Sequence, residues 1–131
     1  MELERKNVLL QISNDRLKDA IVLRRNLRYN GAVYLGGYVI ECLLKTAICA
    51  RLRRDTLPAE YRTHDLDSLM RSSGLFPAIV ANASLYPQYV RIKVWSVALR
   101  YRGKRYDADA AKKFLSAVKK VKQWILEKMR S

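Results

Sequence analysis

The stretch Ala32-Val-Tyr-Leu-Gly-Gly-Tyr-Val-Ile-Glu-Cys-Leu-Leu-Lys-Thr-Ala-Ile-Cys-Ala-Arg-Leu52 decides how the fold is read. Its apolar residues do not alternate as in a half-buried strand. Val33, Leu35, Val39, Ile40, Leu43, Leu44, Ala47 and Ile48 recur at helical spacing and leave a helix apolar on most of its faces, which places it at the centre of a bundle. Gly36 and Gly37 interrupt it at a cost of roughly 1 kcal/mol each against Ala. Something must therefore approach closely there, either a neighbouring helix or a dimer partner. Cys42 and Cys49 share one face about 10.5 Å apart along the axis, too far for a disulfide, and read as buried thiols. Glu41 and Lys45 are i,i+4 partners. On a buried face they form an internal pair; on a groove wall Lys45 is free to meet phosphate.

Outward from this helix the signals stay helical. Upstream, Ser13-Asn14-Asp15 looks like a cap, followed by Leu17, Ala20, Ile21, Arg24 and Leu27, with a break at Arg28-Tyr29-Asn30-Gly31. Downstream, Thr63 is a candidate cap for a short helix from His64 to about Ser72, closed by Gly74. Pro77 and Pro87 bracket a further segment, and Val90, Val94, Val97 and Ala98 recur helically between Tyr89 and Leu99. Asp107 or Asp109 caps a last helix whose stripe is Ala111, Phe114, Leu115, Val118, Val121, Ile125 and Met129. The expected fold class is all-α, an up-and-down bundle of four to five helices in a single domain over residues 1–131, with its core at about 10–130.

The 131 residues are 50% hydrophobic and 29% charged, a core-forming composition. Lys and Arg number 26 against 12 Asp and Glu, a net charge of +14 that calls for an anionic partner. No uninterrupted run of 18 apolar residues occurs, so no spanning helix, no membrane partner and a cytoplasmic location are expected. One histidine, His64, leaves no basis for a His-rich metal site; neither metal nor cofactor is expected. The charge concentrates at Arg51-Leu-Arg53-Arg54 and at Arg100-Tyr-Arg102-Gly-Lys104-Arg105-Tyr106. The second cluster interleaves guanidinium forks, which match phosphate, with tyrosines that stack on bases. The candidate nucleotide- or nucleic-acid-binding residues are thus Arg100, Arg102, Lys104 and Arg105, with Lys45, Arg53 and Arg54.

The segment Leu27 to Lys45 resembles the second helix of HEPN domains, and Thr63-His-Asp-Leu66 followed by Leu69 and Gly74-Leu75 resembles that family's His-Asp-Leu signature. Trp95 leading to Arg100-Tyr101, then an acid-capped amphipathic helix, is similar to its C-terminal third. The resemblance implies a helical bundle, usually a homodimer, that binds RNA or nucleotide phosphates. It also implies a toxin–antitoxin or defence pair with a nucleotidyltransferase partner. Some relatives cleave RNA without a metal, using Arg, four to six residues, then His ahead of the last helix. Here that region has arginines and no histidine. The alternative is therefore a divergent metal-independent RNase, with Arg100 and Arg102 holding phosphate and His64 or Tyr106 handling the proton. A third reading is an adaptor whose charge docks an acidic antitoxin.

Overall fold

The computed structural model describes residues 4–94 and 105–130. Among them it contains six α-helices and no strand: α1 (Lys6–Arg25), α2 (Tyr29–Leu52), α3 (Leu66–Ser72), α4 (Phe76–Ala81), α5 (Tyr86–Lys93) and α6 (Ala108–Arg130), with one turn of 3-10 helix at Ala59–Tyr61. The all-α bundle expected from the sequence is the observed fold. The arginine loop from Arg100 to Lys104, and the apolar positions Val97 and Ala98, lie outside the described residues.

α2 is the axis of the molecule. It packs against α1, α3 and α6, and every residue from Val39 to Cys49 is buried. By length and mean hydropathy this helix meets the requirement for crossing a membrane, but 83% of its most apolar window is covered by the rest of the protein. The structure resolves what approaches Gly36. A Cβ on Gly36 would sit 2.9 Å from Leu115 Cδ2 and 3.1 Å from Phe114 Cε1, both on α6. Gly36 therefore admits a helix of the same chain and does not serve as a dimer surface.

α1 begins earlier than the cap signal suggests. The chain enters it from an extended segment in which Leu57 N donates to Glu4 O (2.7 Å) and Lys6 N donates to Asp55 O (2.8 Å). Ser13 is not a cap. It is buried in mid-helix and its Oγ donates to Val39 O of α2 at 2.9 Å, fixing the α1–α2 register. The two helices are joined at Asn26-Leu27-Arg28, where Leu27 takes a left-handed φ of 62° and is 71% exposed.

The short helices close one side. Asp65, and not Thr63, caps α3 by accepting from Ser68 N (3.2 Å), while Thr63 Oγ1 accepts from Asp65 N. Gly74, at φ +81°, ends this unit. Tyr89 Oη donates to Asp67 at 2.5 Å and ties α5 to α3. Asp107 accepts from Ala110 N (2.8 Å) and starts α6. That helix buries Ala111, Phe114, Leu115, Ala117, Val118, Val121 and Ile125. Each large one contributes about 1.5–3 kcal/mol on leaving water. Met129, at the end of the expected stripe, is half-buried. Lys112, Lys113, Lys119 and Lys120 of this helix are exposed.

Candidate functional site

Two places gather chemistry-bearing side chains. The first lies at mid-height of α2. Glu41 is 1% exposed and its two oxygens are both engaged, Oε1 with His64 Nδ1 at 2.9 Å and Oε2 with Lys45 Nζ at 3.3 Å. Lys45 is 4% exposed and meets Glu4 Oε1 at 3.5 Å as well. A carboxylate accepts, so His64 Nδ1 is the donor in this contact. The imidazole is 61% exposed. Burial against Glu41 reaches the neighbours too. The Cys42 thiol is pushed up to about 12, first by desolvation and then by the Glu41 charge, so it is no nucleophile at neutral pH. The Tyr38 hydroxyl is pushed up to about 12 by burial, with Cys42 and Glu41 adding to it.

The second place is the turn between α1 and α2. An open groove of about 430 Å³ is lined by Leu23, Leu27, Arg28, Tyr29, Asn30, Gly31, Arg105 and Tyr106. Its wall is fixed by two contacts. Asn30 Oδ1 accepts from Tyr106 N at 2.7 Å, across 76 positions of sequence. The Tyr106 ring meets Phe114 edge-on, with centroids 6.3 Å apart and planes at 61°. Arg28 and Arg105 are exposed at this groove, Tyr29 and Tyr106 are half-buried in it, and no acid is among its described lining residues.

Of the candidates from sequence, Arg105 and Tyr106 line this groove, whereas Arg100, Arg102 and Lys104 lie outside the described residues. Lys45 must be withdrawn as a phosphate ligand: its ammonium is buried between two carboxylates, the internal pair that the i,i+4 spacing also allowed. Arg53 and Arg54 are exposed at the opposite end of α2, about 35 Å from Tyr29 at the standard rise per residue, and do not join the groove. Arg53 takes the left-handed conformation that ends α2. His64 meets α2 at Glu41, roughly 16 Å up the helix from Asn30, so His64 and Tyr106 do not share a site. In the sequence Arg28-Tyr29-Asn30 reads as a helix break and as the start of the HEPN-like stretch, not as a binding surface. Its tyrosine and arginine side by side were the available signal.

The residues from 7 to 129 match the family model described as HEPN domain. The chain belongs to the HEPN family. This places it, at family level, among helical proteins of nucleotide and RNA biology. A search of the curated proteins and one of the solved structures each found no significant match. In this HEPN domain the Thr63-His-Asp-Leu66 segment does structural work through Asp65, and its histidine is held by the buried acid of α2.

Proposed function

We propose that this HEPN protein binds RNA or nucleotide phosphates in the groove at the α1–α2 turn. One observation carries the reading: two exposed arginines and two tyrosines border a concavity with no carboxylate among its described lining residues. Arginine forks hold phosphate in a bidentate manner, and tyrosine faces stack on bases regardless of sequence. Arg100, Arg102 and Lys104 precede Arg105 in the chain and belong to the same proposal by sequence. The proposal also includes a cytoplasmic location and, as the family resemblance implies, a homodimer that forms one half of a toxin–antitoxin or defence pair with a nucleotidyltransferase.

Fluorescence anisotropy with labelled single-stranded RNA tests the groove. The double variant Arg28→Ala/Arg105→Ala is expected to weaken binding by about 10-fold or more, at one to a few kcal/mol for a charge-assisted hydrogen bond. Wild-type affinity is expected to fall steeply with salt as phosphate contacts release counterions. Unchanged affinity in the double variant removes the groove from the proposal.

A second reading, the metal-independent RNase, is favoured by the Glu41–His64 contact, which orients the imidazole as a positioned acid or base requires. The same RNA, incubated with protein in excess chelator, distinguishes the two. Shortening of the strand that disappears in His64→Ala supports the nuclease; an intact strand leaves binding as the function.

A further inference from the structure

A second concavity runs along the seam between α1 and α6. It is about 240 Å³ and is lined by Ile21, Arg24 and Arg25 of α1 and by Lys112, Leu115, Ser116 and Lys119 of α6. The α1 positions are spaced i, i+3, i+4 and the α6 positions i, i+3, i+4, i+7, so each set is one stripe of its helix and the two stripes face each other. Four cations therefore converge on a floor of Ile21 and Leu115. None of the four is ion-paired with a carboxylate among the described residues. Of the acids nearest in sequence, Asp19 pairs with Arg16 at 3.2 Å, and Asp109 pairs with Lys113 at 2.8 Å while the Lys112 charge also acts on it. The stripe continues one turn further to Lys122, whose Nζ donates to Asn14 across the same seam at 2.6 Å.

Helix stability does not account for this arrangement. Arg24 and Arg25 suit the C-terminal turn of α1, but Lys112 lies just past the first turn of α6, at the end where the helix dipole favours anions. Four like charges lining one concavity repel one another, and an anion lying between them relieves that repulsion. The lining has no aromatic side chain for stacking a base and no carboxylate or amide for reading its edge. Its chemistry suits a phosphate backbone rather than a base. Arg24 and Arg25 are also the residues next to Leu23, Leu27 and Arg28 of the first groove.

We propose that the α1–α6 seam is a sequence-independent phosphate-backbone site that extends the RNA path beyond the aromatic groove. The inference rests on the binding reading above and adds where a longer strand runs. A base-stacking groove at the turn holds a short oligonucleotide, and the seam engages only strands long enough to reach it.

The test compares oligouridylates of about 5 and about 15 nucleotides, within the usual span of single-strand sites. The proteins are wild type, Lys112→Ala/Lys119→Ala and Arg28→Ala/Arg105→Ala, all checked for folding by circular dichroism. Lys112→Ala/Lys119→Ala is expected to weaken the longer strand about 10-fold and to leave the shorter one unchanged. It should also flatten the dependence of log K on log salt by about 1.4, at roughly 0.7 per lost contact to a single strand. If the longer strand binds this variant with wild-type affinity and salt slope while Arg28→Ala/Arg105→Ala weakens it, the seam is wrong and the groove stands. If only the lysine variant weakens binding, the seam stands and the groove falls. If wild type binds neither strand, both fall.

Discussion

At the scale of single residues, Glu41 sets the balance between structure and chemistry. It is a carboxylate in the middle of an otherwise apolar helix, and it survives there because both oxygens meet hydrogen-bonding partners. Removing one member of a buried pair strands the other. Glu41→Ala leaves Lys45 buried with only Glu4 at 3.5 Å, and is expected to cost about 3–5 kcal/mol of unfolding free energy in a urea titration. His64→Ala removes a 61% exposed partner and is expected to cost under about 1 kcal/mol. The order is the claim. Equal losses in the two variants would mean that His64 is as deeply structural as Glu41, and would leave the imidazole no spare role. This pair was only half legible in the sequence. The i,i+4 spacing of Glu41 and Lys45 is local and could be read; His64 is 23 positions away and reaches Glu41 through a loop that no periodicity describes. The same holds for the groove, whose arginines stand 77 positions apart.

At the scale of elements, the α2–α6 contact shows what the sequence could and could not say. The amphipathic stripe of α6 and the all-round apolarity of α2 name both helices correctly because helical packing is written in 3.6-residue spacing. The start of α1 was missed because Ser13-Asn14-Asp15 has cap chemistry while the real start depends on residues 4–6 pairing with 55–57, a long-range contact. Gly36 belongs with the successes: its cost in helix propensity announced a close neighbour, and the neighbour is α6. The structure now gives the size of the effect. Gly36→Ala gains roughly 1 kcal/mol of helix propensity but pushes a methyl to 2.9 Å from Leu115 and 3.1 Å from Phe114, where overpacking costs about 1–3 kcal/mol. A net loss is expected. Adding Leu115→Ala makes room for the methyl, so the double variant should lose less than the sum of the two single losses. Strict additivity would show that α6 does not rest on Gly36.

At the scale of the whole molecule, the net charge of +14 governs association. Two such chains that pair in the proposed homodimer bring their positive surfaces within reach of each other, and only apolar or hydrogen-bonded contact opposes the repulsion. Salt decides how far that repulsion acts: the screening length falls from about 30 Å at 0.01 M to about 8 Å at 0.15 M. Dimerisation is therefore expected to strengthen with ionic strength, the opposite of RNA binding, which salt weakens. Light scattering at tens of micromolar protein should show the apparent mass rising toward twice 15.2 kDa as sodium chloride is raised across this range. A short polyanion that fills the basic grooves should bring about the same rise at low salt by neutralising them. A mass that stays at one chain in every condition removes the homodimer from the proposal. A mass that stays at two chains in every condition shows an interface strong enough to override the charge, and places that interface away from the Arg28–Arg105 and Arg24–Lys119 faces, where the repulsion is concentrated.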